Sequence, residues 1–517
     1  MDVIHKPITP ISIRKAHDDG LNPSTTVLPA GYRKGDGCRP LQVDTIWERD
    51  ISIPLRDGTK LRADIFRPQQ TTGEIPILLV WGPYGKTGTG MFSLDMIQGR
   101  VGVPVDRLSG FESFEGPDPA EWNAHGYAVA QVDARGIFHS EGDHRWHGTA
   151  EGRDGYDTVE YLGALDWSNG CVALIGNSWL ATAQWFIAAE RPPHLSCILP
   201  LEGLSDVYRE SLCRGGVPYT PFWEFLRDNG LYGKNRQEDV IAMIRKYPLM
   251  NEYWEDKRAK AHLIQAPAYI LASMSTGLHT SPLINIPFSS WPPPTTTYDK
   301  YYLSAGSRLT QQPADVISGS VSYQSDTPAS QVDNDPEEAT FSFTFCERKT
   351  IVGASKAVLY MSCPDHNDLD VFVQLRKVDR RGKILRNINI PLQQLGLASE
   401  QEVESINTLK YLGPTGVLRA SHRALDDRLS KPHWPAHDHS RISPVPLGSV
   451  VKLEIGLWPA AIQFDAGEAL MMKIAGHHMT LAEFVPLRGR FTTGNKGRHQ
   501  VYFGDFASHL LIPTVAL

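Results

Sequence analysis

The sequence predicts two architectures in series: an α/β domain interrupted by a helical cap, then an all-β domain of jelly-roll type. Three features predict them. Apolar runs at 75–82, 126–133, 171–176 and 196–201 read as buried strands, alternating with helical patterns at 153–166 and 181–189. Such alternation argues for a mostly parallel sheet covered on both faces. Beyond a proline-rich stretch at 289–295 the pattern changes to short strands separated by turns. The third feature is the run CVALIGNSWL at 171–180, where an apolar strand passes through Gly176-Asn177-Ser178-Trp179 directly into a helix. At 517 residues the chain is too long for one core. A prior of roughly 100–200 residues per domain gives about two to four domains.

Residues 1–45 are polar and irregular, and read as an arm lying on the first domain. Residues 47–57 and 59–67 alternate as two strands across the Asp57-Gly58 turn. The α/β domain is expected over 46–205 and 263–290, with a further buried strand at 266–272. Between these pieces, 206–262 show helix-like charged and aromatic segments and no strand alternation, which suits a cap. Its Gly215-Gly216, Tyr219, Phe222, Trp223 and Phe225 would face a pocket or pack cap against core. The all-β domain is expected over 296–517, with strands at 299–304, 340–345, 356–362, 369–378, 448–456, 469–475 and 498–503.

Composition excludes several functions. Hydrophobic content of 41% and charged content of 21% fit a soluble globular protein. A net charge of −7 offers no basic field for a nucleic-acid backbone. No run of about 18 apolar residues suggests a membrane span, and the N-terminus lacks the apolar core of a secretory signal, so the expected location is cytoplasmic. Six cysteines at 38, 171, 197, 213, 346 and 363 are too dispersed for a zinc cluster or a disulfide framework. Cys171 and Cys197 read as buried small side chains. No cofactor and no metal is called for.

The chemistry centres on Ser178. A serine on a tight strand-to-helix turn is how an α/β hydrolase exposes its nucleophile, although the usual G-x-S-x-G ends here in Leu180. Gly176 and Ala181 are small enough to let the helix pack close. The competing reading is an ordinary helix N-cap. Acyl transfer also needs donors aimed at a developing oxyanion. The Trp179 amide is one candidate. The loop Trp81-Gly82-Pro83-Tyr84-Gly85-Lys86 supplies the Tyr84 hydroxyl as a second, with Trp81 at the pocket.

These stretches carry a resemblance. Together with Phe114-Glu115-Gly116-Pro117-Asp118-Pro119, Trp122, His125-Gly126-Tyr127, Asp133-Ala134-Arg135-Gly136 and Ser140-Glu141-Gly142, they make the chain similar to the cocaine-esterase-like and X-prolyl dipeptidyl-peptidase-like hydrolases (CocE/NonD). It resembles the fungal branch most closely. Asp368–Val373, Leu418–Arg423 and Phe464–Glu468 extend the likeness into the last domain. The resemblance implies an α/β-hydrolase domain with a helical cap and a C-terminal jelly roll. It also implies Ser178 as nucleophile, with the Tyr84 hydroxyl and Trp179 amide as oxyanion hole.

The base and its orienting acid are harder to place. The family commonly shows Gly-Trp-x-Asp after the strand at 266–272, whereas this chain has Ser273-Met274-Ser275-Thr276-Gly277-Leu278-His279-Thr280. A block holding the last sheet strand and the histidine loop is expected to be absent. His279 is then the best-placed base, and Asp206, Glu202 or Asp143 a candidate acid or orienter. His422, His433, His437 and His439 are expected to face solvent, and His125 to pack under the sheet. Three readings stand side by side. One is a serine hydrolase of a small, largely apolar ester, thioester or amide from fungal secondary metabolism. Another is a non-hydrolytic cyclase, isomerase or lyase using the same pocket. The third is a non-catalytic binding protein. The partner is a small-molecule substrate, and a homodimer would cover an edge strand left by the missing block.

Overall fold

Strand formation in the first half of the chain follows the apolar runs. The computed structural model describes residues 2–11, 16–96, 98–274, 289–329, 333–388, 390–403, 410–479, 487 and 491–516. The chain divides into two units, Met1–Ser211 with Phe222–Ala272 and Leu392–Glu400, and Leu212–Pro221 with Ser273–Pro391 and Gln401–Leu517.

The first unit is an α/β-hydrolase-like domain with helices. Its strands are β1 (His5–Pro7), β2 (Ser24–Leu28), β3 (Thr45–Pro54), β4 (Lys60–Pro68), β5 (Ile75–Gly82), β6 (Ala128–Asp133), β7 (Ser168–Asn177), β8 (Leu195–Leu201) and β9 (Arg236–Glu238). Its helices are α1 (Pro119–Ala124), α2 (Thr149–Gly163), α3 (Trp179–Ala189), α4 (Pro221–Asn229), α5 (Val240–Lys246) and α6 (Glu252–Asp256). Strands β2 to β8 form one sheet in the order β2-β3-β4-β6-β5-β7-β8. Pairing is parallel through β6, β5, β7 and β8, and antiparallel through β2, β3, β4 and β6. The expected parallel sheet therefore holds only for the half that carries Ser178. Strand β6 is buried along its whole length.

Part of 1–45, read as irregular, is regular strand. Strand β2 pairs with β3 from Ser24↔Arg49 to Leu28↔Thr45, so it is an edge of the sheet. Leu28 and Leu41 join Phe66 and Phe111 in a small core. Strand β1 pairs with β9 inside the region expected to be wholly helical. Few apolar residues are needed where backbone pairing does the work, which is why composition hid these strands.

The buried strand expected at 266–272 is corrected too. Ile198 N–H donates to the Pro267 carbonyl at 2.9 Å, Tyr269 N–H to Ile198 at 2.9 Å, Leu271 N–H to Pro200 at 3.2 Å and Glu202 N–H to Leu271 at 2.8 Å. The segment lies parallel to β8, but Pro200 has no N–H to give, and the ladder breaks into two isolated bridges. Tyr269 and Ile270 are 63% and 59% exposed. Cys171 is also exposed, since it falls in the irregular start of β7 before its regular pairing, and Cys197, in β8, is half-buried.

The second unit is β-rich. Each expected strand is present, at Thr297–Ser304, Glu338–Thr344, Lys356–Ser362, Asp370–Val378, Val451–Gly456, Ala469–Ala475 and Arg498–Phe503. Others were not foreseen, including Gly319–Gln324, Lys349–Gly353, Thr415–Arg419, Ala460–Phe464 and His509–Thr514. Among the described residues these belong to one thirteen-stranded sheet system. Val371, Val373 and Leu375 enter its core with Tyr301, Phe341 and Met472. Phe372, on the opposite face, packs with Val217, Ala475 and Met479. Among the described residues, no helix is long and apolar enough to cross a membrane.

Candidate active site

Ser178 sits between β7 and α3 at φ 56 and ψ −115. A non-glycine residue in this region is strained, at a cost of order 1–3 kcal/mol. Packing enforces the turn. A Cβ added to Gly176 would lie 2.5 Å from the Leu180 Cβ. The Ser178 N–H donates to the Leu201 carbonyl at 3.1 Å, and its carbonyl accepts the Thr182 N–H at 2.9 Å. The side chain makes no capping hydrogen bond to α3. It lies close enough to the Tyr84 phenol to influence that group's hold on its proton. The N-cap reading fails on that geometry.

Tyr84 is 6% exposed, with its ring held edge-on by Phe92, Phe114 and Trp179 at centroid distances of 5.4, 5.5 and 6.4 Å. Burial pushes its phenol well above the ordinary value, the charge of Glu115 adds to the rise, and Ser178 opposes it. Tyr84 therefore keeps its proton at neutral pH and is a donor. The Trp179 amide opens α3, where backbone N–H groups have no intrahelical partner. Together the two donors can receive an oxyanion formed beside Ser178. A small cavity beside Tyr84 is lined also by Val80, Ser113, Phe114 and Leu180.

A buried ionic network fixes the Tyr84 loop. Lys86 Nζ lies 2.8 Å from Asp50 and 2.6 Å from Asp64, and the Lys86 N–H donates to Asp133 at 2.7 Å. Gly90 closes the turn so tightly that a Cβ there would fall 1.7 Å from the Tyr84 carbonyl oxygen. Burial pushes the Asp133 carboxyl up to about 7; Lys86 opposes the rise, and Asp64 and Asp50 add to it. An acid raised in the folded state stabilises it below the unfolded pKa and loses that contribution as pH rises through about 7. His144 acts with the opposite sign. Burial holds it at about 4, down from 6.5, so its contribution is present above 6.5 and lost as pH falls towards 4. The Asp133→Asn variant keeps an oxygen for the Lys86 N–H and removes the acid. Its thermal midpoint is expected to rise from about pH 4 to 7 more steeply than that of the wild type, and to exceed it above pH 8. Parallel melting curves across that range would refute this.

Glu151, in the first turn of α2, is 3% exposed. Its Oε1 accepts the indole N–H of Trp81 at 2.9 Å and of Trp179 at 3.2 Å, while Oε2 lies 3.1 Å from His147 Nδ1. Burial alone would raise this carboxyl, but His147, His144 and the Trp81 bond hold it below the usual range. His144 packs on Trp179 at 5.6 Å and donates from Nδ1 to the Arg135 carbonyl at 2.9 Å.

The structure brings Ser178, Tyr84 and Trp179 together; the other expected site residues are dispersed. Trp81 is 1% exposed and directed to Glu151. Asp143 pairs with Arg236 at 2.6 Å, and Asp206 with Arg209 at 2.9 Å. Glu202 follows Leu201, whose carbonyl holds the Ser178 amide, and has φ 56. Trp223 packs on Trp146 at 5.5 Å and Phe222 on Trp223 at 6.4 Å, in the first unit. Tyr219 belongs to the second unit, where it packs against His478 and Phe491. His279 lies outside the described residues.

Other histidine expectations are corrected. His422, His437 and His439 are buried, with the Nδ1 atoms of His422 and His439 2.9 Å apart. Gly216 admits the His422 ring, since a Cβ there would lie 2.4 Å from it. His433 stacks on Tyr298 at 5.0 Å. His125 does not pack under the sheet; its side chain is 62% exposed, at the end of α1. Among the described residues, Asp335, Glu338 and His477 have the donor set of a metal site. The Lys473 ammonium already pairs with Glu338, which disfavours a divalent ion beside it.

Comparison with known proteins gives this geometry a lineage. Residues 57–237 match the X-Pro dipeptidyl-peptidase family, and 262–511 match the X-Pro dipeptidyl-peptidase C-terminal non-catalytic domain. The crystal structure of a CocE/NonD family hydrolase from Staphylococcus aureus aligns over 99% of both chains with a TM-score of 0.79 and 25% identity. The chain belongs to the CocE/NonD superfamily of peptidases and esterases. Within the CocE/NonD proteins, the cocaine esterase of Rhodococcus sp. is 31% identical over 210 residues, 39% of this chain and 33% of the esterase. The match thus spans about a third of that curated relative. An aminopeptidase from a marine-sediment Thaumarchaeota archaeon, at 15% identity and TM-score 0.63 over 95% of this chain and 99% of its own, shares the fold.

Two residues of this CocE/NonD site escaped sequence reasoning. Glu115 has φ 66 and offers its carbonyl to the Asn177 N–H at 3.1 Å. Glu151 is the hub of the indole pair. The one sequence signal for Glu151 is its spacing of four from His147 across a helix start.

Proposed function

We propose that the protein is a serine hydrolase of small, largely apolar esters, with thioesters and amides as related substrates. The observation that carries this reading is the strained Ser178, whose side chain leaves its own helix uncapped and lies near a buried, protonated Tyr84. In the proposed reaction the Ser178 oxygen attacks the acyl carbon and its proton passes to His279. The Tyr84 hydroxyl and Trp179 amide hold the oxyanion. The leaving alkoxide takes the proton from His279, and water then releases the acid from the acyl-serine. Within that class, the resemblance to fungal proteins favours a secondary-metabolite ester.

One sequence fact supports a second reading. No Asp or Glu occurs between Asp256 and Asp299, the stretch expected to hold the orienting acid. A histidine without its carboxylate is a weaker general base, and an oxyanion hole also stabilises an enolate. On this reading Ser178 only hydrogen-bonds its substrate, and the reaction is a cyclisation, isomerisation or elimination.

The readings separate on p-nitrophenyl esters of increasing acyl size, with the Ser178→Ala protein as blank. Turnover above the blank supports ester hydrolysis. No turnover above the blank on any ester contradicts it and leaves the proton-transfer and binding-protein readings. The exposed Tyr269-Ile270 edge, on the segment beside β8, also fits a homodimer. Sedimentation is expected to show a dimer; a monomer at assay concentration refutes that arrangement.

A further inference from the structure

We infer that Glu151 is a positioning residue that ties the two halves of the oxyanion hole together through the indoles of Trp81 and Trp179. This rests on the acyl-transfer reading of Ser178.

The donors come from distant parts of the sequence. Tyr84 stands three residues beyond Trp81, on the loop leaving β5, whereas the Trp179 amide opens α3. Parallel pairing of β5 with β7 sets the loop and the helix side by side. A single carboxylate oxygen then ties their side chains, since Glu151 Oε1 accepts from Trp81 at 2.9 Å and Trp179 at 3.2 Å. An indole N–H is a donor only, so neither tryptophan can exchange roles. Trp81 and Trp179 are 1% and 4% exposed, so no water competes for the bonds. The second oxygen is anchored at 3.1 Å by His147, whose ring lies 4.3 Å from that of Trp179. His147 has φ 57, a strained backbone at the entrance to α2.

The arrangement makes a specific kinetic demand. Oxyanion donors act in the transition state, so loosening their spacing lowers kcat and leaves ground-state binding nearly untouched. Displacing catalytic groups by about 1 Å can cost on the order of a hundredfold. The Glu151→Ala variant is therefore expected to lose about ten- to a hundredfold in kcat on a p-nitrophenyl ester with KM nearly unchanged. It is also expected to lose affinity for a trifluoromethyl ketone analogue of the same acyl group by the same factor. Glu151→Gln keeps an oxygen for both indoles and should recover most of kcat.

The inference is overturned if Glu151→Ala retains wild-type kcat, or if kcat and KM change while affinity for the ketone does not. Should Glu151→Ala fail to fold, Trp81→Phe, Trp179→Phe and the double variant decide. Both single changes cut the same tie, so their effects on kcat should be markedly less than multiplicative; multiplicative losses refute the tie. Wild-type protein inert to esters would instead bring down the acyl-transfer reading itself, a failure distinct from active protein indifferent to Glu151.

Discussion

Replacing Ser178 with alanine is expected to lower ester turnover by at least about a thousandfold, to the level that an oxyanion hole and binding provide without a nucleophile. The fold should survive. Ser178 is held by its backbone, through the bonds to Leu201 and Thr182, and its side chain caps nothing. Alanine keeps a Cβ at φ 56, so the turn stays as strained as before. The expected signature is lost turnover with stability unchanged within about 1 kcal/mol, the net worth of one hydrogen bond. Steady-state kinetics and melting curves on the same sample check both halves. Residual activity within tenfold of wild type would mean that Ser178 is not the nucleophile.

Tyr84→Phe is expected to cost about 10²–10³ in kcat, or about 2.7–4 kcal/mol, the range for removing one oxyanion donor. The ring would remain seated among Phe92, Phe114 and Trp179, so the change isolates the hydroxyl. KM should move little, because the hydroxyl serves the developing charge more than the bound ester. The pH profile supplies a second check. Burial and Glu115 keep the phenol protonated far into the alkaline range, so wild-type activity should not fall at the ordinary tyrosine pKa of about 10. An inflection there that disappears in Tyr84→Phe would show the hydroxyl acting as an acid or base instead of a fixed donor.

The elements that carry the candidate site were legible because their signals are local. The run at 75–82 became β5, the run at 171–176 fell within β7, and small Gly176 marked the close approach of Leu180. The loop bearing Tyr84 followed from its place after a buried strand. What escaped the sequence depends on partners brought in from afar. Ser24–Leu28 looks like loop, yet an edge strand needs only a neighbour with free backbone groups, and β3 supplies it. The segment at 266–272 reads as a strand by composition, but its ladder is limited by Pro200 on another strand. Glu151 reads as an ordinary acidic residue near a helix N-terminus. Its role appears only when β5 and α3 present two indole donors to it. Asp143 and Asp206 show the converse: acids near the expected site are engaged by Arg236 and Arg209.

The most direct test of the account is covalent labelling with a fluorophosphonate, followed by peptide mapping. One adduct per chain is expected, on Ser178, absent from Ser178→Ala and formed more slowly in Tyr84→Phe, since phosphonylation develops charge on the same oxyanion site. No adduct on Ser178 between about pH 6 and 9, the range in which an imidazole base titrates, would contradict it.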